Sequence, residues 1–341
     1  MHSQNWEFLG LSTKSNVKLE TMKTAGSFLI ILLLMPLGHA LMGIMEHTLA
    51  PEPLHYAAFA MGFVGLVLAI TGIFVKGDTK QTLFGIIGAM LFWTGWVEFL
   101  FLYYAQRFGT HCDLLGTGIV QTTSTYVDGI CTQHDFLING KPLETYTRPE
   151  LKAIRGSRPE YLIMSATFGL WMMVMTMYLF CTRTGCNFFN WLQRHLIFRI
   201  SPSATTLVRP MAHHPSMVVF MEWNVMMWGT YLILMFCYDP VFLGPSHPVT
   251  IILGLVCLVG AILMLKKQLH ITQWGRNIRF ALATVIVFWT FVEICGRNGF
   301  FNEIWNDPMN HPLQMALILA AFVAVICTSI FFSRYISKED V

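Results

Sequence analysis

Charged residues are scarce in this chain. They make up 12% of its 341 residues, against roughly 25% in soluble domains. Hydrophobic residues make up 55%, and the mean hydropathy is +0.55. This composition excludes an ordinary soluble protein and predicts an all-α integral membrane protein, with the lipid bilayer as its main surroundings.

Several motifs that would identify a class of enzyme or binding protein are also missing. The chain has no CxxC pair, no CxxCH haem attachment site, no HxxxH or HExxH metal motif and no phosphate-binding glycine loop. The net charge of +3 is spread along the chain without a basic stripe. Nucleic acid is therefore not an expected partner.

The apolar runs predict about eight transmembrane helices. A hydrocarbon core about 30 Å thick needs roughly 20 apolar residues per helix. The predicted spans are 25–47, 55–75, 81–105, 160–181, 215–237, 247–265, 277–296 and 312–334.

The same pattern divides the chain into four parts. Residues 1–24 form a cytoplasmic N-terminal segment, and 25–181 form a first four-helix half that includes an outer loop at 106–159. Residues 182–214 form a cytoplasmic interfacial linker, and 215–341 form the second four-helix half.

The distribution of Lys and Arg predicts the orientation. Most basic residues near the span ends fall on the side that carries the N-terminus, and cytoplasmic loops are the ones enriched in Lys and Arg. We therefore expect both termini in the cytoplasm, and we assign the chain to a bacterial inner membrane. The outer loop then faces an oxidising compartment, where Cys112 and Cys131 can form a disulfide and where a membrane or periplasmic protein can dock.

One phrase occurs twice. Residues 92–98 read Phe-Trp-Thr-Gly-Trp-Val-Glu, and residues 288–293 read Phe-Trp-Thr-Phe-Val-Glu, one residue shorter. The repetition predicts two tandem four-helix halves related by an axis along the membrane normal. The alternative is that membrane helices share Phe, Trp and Val through composition alone.

Ionisable residues inside the spans mark a candidate site. A charge at the bilayer centre costs about 2.5–3.5 kcal/mol on insertion scales, so such residues usually have a function. The candidates cluster toward the outer side and form a predicted proton or ion site: His39, Glu46, Glu98, Glu293 and Arg297.

Helical spacing suggests partners for these groups. Glu293 and Arg297 are four residues apart, the favourable order for an intrahelical ion pair. Thr94 and Thr290 each precede a carboxylate by about one turn, so each hydroxyl is expected to bond its glutamate. Glu98 must find Arg107, a histidine or a proton.

Two other functions compete with proton, cation or solute handling. His47, His55, His247 and His311 lie near the outer surface and form a candidate metal set, which would make the chain a redox subunit binding Fe, Cu or haem. Alternatively, the polar residues only tie helices together in a membrane scaffold subunit. Glu222, toward the cytoplasmic half, is either such a tie or the inner end of a polar path.

Cysteine-accessibility labelling tests the predicted orientation. A cysteine placed at Lys266 should react only from the cytoplasmic side, because that residue belongs to the basic set that defines this side. A cysteine in the 106–159 loop should react from outside. Labelling of position 266 from the outside would contradict the topology.

Overall fold

The computed structural model describes residues 5–101, 214–238, 242–306 and 308–339, short strand segments between 120 and 142, and isolated positions from 103 to 210. Helices dominate this part of the chain. The seven longest are α1 (Asn5–Thr48), α2 (Pro51–Phe74), α3 (Asp78–Phe92), α4 (Pro215–Tyr238), α5 (Pro248–Gln268), α6 (Trp274–Arg297) and α7 (Pro312–Glu339). A π-helix, Trp93–Glu98, continues α3, and a 3₁₀ helix, Ile304–Asn306, precedes α7.

Seven helices among the described residues are long and apolar enough to cross a membrane. They correspond to seven of the predicted spans, from Glu20–Thr48 to Pro312–Ser329, so the prediction of a helical fold with apolar helices of membrane-spanning length is confirmed. The predicted span at 160–181 lies outside the described residues. The count of eight, the four-part division and the 4+4 repeat therefore stay predictions.

Proline sets where several helices begin. Four of the seven apolar helices, α2, α4, α5 and α7, start on a proline. A proline is tolerated there because the amide groups of the first turn have no intrahelical partner to lose. Within α1, by contrast, Pro36 removes one backbone bond three residues before His39.

The central helix of the described bundle is α6. In its apolar window 72% of residues are buried, compared with 6% in α7 and 17% in α5, whose side chains face outward. α1 packs on α6 and α7, α2 on α3, α3 on α4, and α5 on α6. The outer end of the bundle, in the predicted orientation, contains the α1–α2 turn and the end of α6.

Hydrogen bonds of amide and hydroxyl groups close the opposite, inner end. Asn277 donates through Nδ2 to Thr24 Oγ1 at 3.0 Å and to the carbonyl of Ile271 at 3.0 Å. Gln268 donates through Nε2 to Asn277 Oδ1 at 2.8 Å. Thr24, Gln268 and Asn277 are 0–1% exposed, so this neutral network fixes α1, α5 and α6 to one another.

A charged contact adjoins that network. Arg279 on α6 lies 2.9 Å from Asp78, the first residue of α3, and donates to Thr82 Oγ1 at 2.6 Å. Asp78 is half exposed and the arginine is buried, so the pair joins the solvent-exposed start of α3 to the central helix.

The predicted outer loop contains strands that the sequence analysis did not assign. β1 (Val120–Val127) pairs antiparallel with β2 (Ile130–Ile138), which pairs with β3 (Lys141–Pro142). A sequence signal for the β1–β2 hairpin was present, because β1 is rich in Thr, Val and Tyr and an Asp-Gly dipeptide at 128–129 separates it from β2.

The predicted linker contains two further strands of two residues each. These strands, β4 (Thr182–Arg183) and β5 (Arg209–Pro210), pair in parallel.

The expected Cys112–Cys131 disulfide falls in the same loop. Cys112 lies outside the described residues, and only the backbone of Cys131 is described, as part of β2. The disulfide therefore stays a prediction.

Glycines let α2 and α3 approach closely. A Cβ at Gly65 would lie 2.5 Å from the backbone nitrogen of Phe92, and one at Gly88 would lie 2.7 Å from the carbonyl oxygen of Gly65. Real Cβ atoms do not approach backbone so closely. The two glycines therefore set the separation of the helix pair that carries the π-helix.

Gly65→Ala tests this packing, and Gly260→Ala is its matched control. A Cβ at Gly260 meets only a methyl group of Val287, at 3.9 Å. Both changes gain up to about 1 kcal/mol of helix propensity. We expect Gly65→Ala to lower the unfolding temperature in detergent and Gly260→Ala to leave it unchanged or raise it. Equal responses would show that the contact does not constrain the helices.

Candidate functional site

Three helices bring one histidine between two carboxylates. His39 on α1 places Nδ1 at 3.2 Å from Oε1 of Glu98, in the π-helix, and Nε2 at 3.9 Å from Oε1 of Glu293, on α6. The three side chains are mostly buried, with 9%, 24% and 11% of their surfaces exposed. His39 lies nine residues before the end of α1, or about 14 Å along the axis, so the cluster is inside the span.

The sequence analysis nominated these three residues, and the structure brings them together. Glu98 is matched with a histidine, one of the partners that we considered for it. The two glutamates also meet the same imidazole, so they lie at similar depth. This is what the repeated phrase predicts for its carboxylates, although the duplication itself is not tested.

Trp289 positions Glu293. Its indole Nε1 donates to Oε1 of Glu293 at 3.1 Å, one turn along α6. The same ring stacks with the His39 imidazole, with centroids 6.4 Å apart and an interplanar angle of 17°. The expected bond from Thr290 to Glu293 is wrong, since the Thr290 hydroxyl donates to the carbonyl of Ile286 at 3.0 Å.

The π-helix explains why the first copy of the phrase is one residue longer. A π turn accommodates one extra residue in an otherwise α-helical segment, and here it spans Trp93–Glu98. The second copy remains α-helical within α6. Each glutamate is thus one turn after a tryptophan, five residues along in the π-helix and four in α6.

This geometry also revises the expected partner of Glu98. In a π turn the residue one turn before Glu98 is Trp93, whereas the prediction of a bond from Thr94 assumed α-helical spacing. No bond between Thr94 and Glu98 occurs among the described residues. Thr94 instead lines a cavity beside the carboxylate.

That cavity lies between α1, α3, the π-helix and α4. The space open to a water-sized molecule is about 20 Å³, enough for one water. His39 and Glu98 form the ionisable part of its wall. The other wall residues are Leu34, Met35, Gly38, Met90, Trp93, Thr94, Trp223 and Met227.

Two predicted members of the site lie elsewhere. Glu46 is exposed, seven residues beyond His39 on α1. The Arg297 guanidinium lies over the ring of Tyr238, 5.4 Å from its centroid. Among the ion pairs of the described residues, Glu293 is matched with His39 and not with Arg297 as expected.

The predicted histidine metal set is not assembled among the described residues. His47 donates to the carbonyl of Gly43 in its own helix, and His247 caps α5 by accepting from the amide of Val249. His55 packs edge-on against Tyr103, and His311 lies just before α7. Within the described part of the chain, no three His, Cys, Asp or Glu side chains are grouped as a metal site would require.

Glu222 is almost completely buried on α4, at 2% exposure. It is absent from the cavity wall, although its neighbour Trp223 belongs to it. The prediction that Glu222 ties helices together and the prediction that it ends a polar path both remain open.

Sequence reasoning missed the groups that surround the carboxylates. Trp289, Trp93 and the three cavity methionines looked like ordinary core residues of an apolar helix. For the tryptophans a signal existed, because both belong to the repeated phrase at the same place before the glutamate. For the methionines no sequence signal existed, because each lies on a different helix and residue spacing does not show which helices meet.

Comparison of the chain with family models, curated proteins and solved structures finds no match.

A double-mutant cycle tests the contact at the centre of the site. We expect His39→Gln and Glu98→Gln to be coupled by about 0.5–3 kcal/mol in the free energy of unfolding, as residues in contact usually are. The control cycle pairs Glu98→Gln with His47→Gln, an exposed histidine on the same helix, and should be additive. Unfolding of the purified protein in detergent measures both cycles. Additivity in the first cycle would contradict the contact.

Proposed function

We propose that this chain is a membrane transporter that binds and releases protons at His39 while it moves a cation or small solute. The observation that supports this most strongly is the imidazole between two carboxylates from different helices, inside a membrane span. Protonatable side chains in such positions commonly mark proton relays and ion paths.

Charge balance favours protons at this site. With a neutral imidazole and two ionised carboxylates the cluster carries two negative charges, and one proton on the histidine leaves one. A second proton, on a carboxylate, makes the cluster neutral. An uncompensated charge is costly in a low-dielectric interior, which supports a proton-binding role for the cluster.

The arrangement also supplies a direction for proton exchange. Glu98 is the more exposed carboxylate and adjoins the water-sized cavity, whereas Glu293 is held by the Trp289 indole. The histidine presents one ring nitrogen to each, so it can accept a proton on Nδ1 and release one from Nε2. Glu98 would exchange protons with the cavity, and His39 would pass them to Glu293.

Location and orientation complete the proposal. With both termini in the cytoplasm of a bacterial inner membrane, the cluster lies in the outer half of the bilayer. The Lys and Arg distribution supports that orientation. Protons would then enter from the outer side by way of Glu98.

Infrared difference spectroscopy on the reconstituted protein tests proton binding without knowledge of the solute. A drop in pH should produce the carbonyl band of a protonated carboxylic acid, and Glu98→Gln should remove the part of this band that comes from Glu98. The same substitution should abolish pH-driven flux in proteoliposomes. Glu46→Gln is the matched control, because this carboxylate is exposed and lies on the helix that also carries His39. It should leave the flux and the Glu98 band unchanged.

Each contrary result has a clear meaning. If Glu98→Gln behaves like the parent in both measurements, proton handling fails and the cluster serves as a tie between helices in a scaffold. A haem absorption band, or stoichiometric iron lost on His39→Ala, would instead favour a redox subunit.

A further inference from the structure

Three methionines from three helices meet at the cavity beside His39 and Glu98. Met35 comes from α1, Met90 from α3 and Met227 from α4. Met35 and Met227 are 3% and 5% exposed, so their side chains are enclosed within the bundle. The proposed proton site does not use them.

The chemistry of these wall groups is that of a soft cation site. Thioether sulfur is a soft, neutral ligand that selects Cu(I). Thioethers cannot balance the charge of a bound ion, but the Glu98 carboxylate in the same wall can. Trp93 and Trp223 also line the cavity, and indole is the side chain that attracts cations best through its ring face.

The size of the cavity narrows the choice. A space of about 20 Å³ for a water-sized molecule holds one small particle. A single dehydrated ion that exchanges water for sulfur ligands fits this space.

We propose that the cavity is the binding site of one soft monovalent cation, Cu(I), with Met35, Met90 and Met227 as its sulfur ligands and Glu98 as the carboxylate that balances its charge. The inference rests on the proposed function, because it names the cation that the proton-binding transporter carries.

Silver titration of the full-length purified protein tests the site, since Ag(I) has the same softness and charge and does not change oxidation state. Cysteines bind Ag(I) in every variant alike, so the readout is the difference in stoichiometry. Replacing Met35, Met90 and Met227 together by Leu should remove one equivalent per chain. Each single replacement should weaken that equivalent at least about tenfold, because even outer-shell partners of metal ligands contribute 10–100-fold.

A matched control is available on two of the same helices. Met42 on α1 and Met235 on α4 are 4% and 3% exposed, but neither lines the cavity. The Met42→Leu, Met235→Leu variant should keep the full stoichiometry. Since exchange of Met for Leu usually costs less than about 1.5 kcal/mol, the variants should fold, and the single replacements carry the test if the triple variant does not.

X-ray absorption of the protein loaded with Cu(I) under anaerobic reducing conditions identifies the ligands. The difference between the parent and the triple variant should be a loss of sulfur scatterers. The same Ag(I) stoichiometry in the parent and the triple variant, or an equal loss in the control, would overturn the site.

The infrared experiment separates this proposal from the one on which it rests. If the Glu98 carbonyl band is present and the silver stoichiometry does not change, the cation class is wrong and proton binding stands. If one equivalent is lost but the Glu98 band is absent, the metal site stands and proton handling fails.

Discussion

An imidazole between two carboxylates, enclosed in an apolar bundle, is the interaction on which the rest of this structure depends. Glu98 and Glu293 come from helices far apart in sequence, and like charges at this depth would force those helices apart. His39 makes their approach favourable, because it faces each carboxylate with a different nitrogen. The position of α1 relative to α3 and α6 at this level follows from that requirement.

Two features of the surrounding helices make this arrangement geometrically possible. The glycine contacts between α2 and α3 leave no room for side chains, so α3 is held close to its neighbour along most of its length. The π turn that follows lets one extra residue fit without displacing the carboxylate from the site-facing side. On α6 the same orientation needs no irregularity, and the Trp289 indole fixes the carboxylate directly.

The sequence predicted the seven apolar helices that the structure describes, and its five candidate site residues included the three that meet, because both predictions follow from strong local rules. Length and apolarity define a membrane helix, and an ionisable residue within such a helix is costly and therefore usually functional. The wrong hydrogen-bond predictions concern spacing or competition. Thr94 was assigned by α-helical counting across a π turn, and Thr290 was assigned to Glu293 although its hydroxyl donates to the backbone carbonyl of Ile286.

Arg297 shows that helical spacing does not predict contacts between helices. Its separation from Glu293 is ideal for an ion pair on an isolated helix, yet its guanidinium lies over Tyr238 from α4. A contact between helices outcompeted a local one, and helical spacing carries no information on that choice. The meeting of Met35, Met90 and Met227 at one cavity belongs to the same category, since each lies on a different helix.

The neutral network of Thr24, Gln268 and Asn277 has a mechanical meaning as well. Bonds between amides and hydroxyls keep their strength at any pH at which the protein is folded. They join α1 and α6 at one end, while His39 and Glu293 join the same two helices farther along through groups that can carry charge. In the proposed function, a change in protonation would loosen or tighten the second connection while the network stays fixed. The helix pair would then act as a hinge with its pivot at the network.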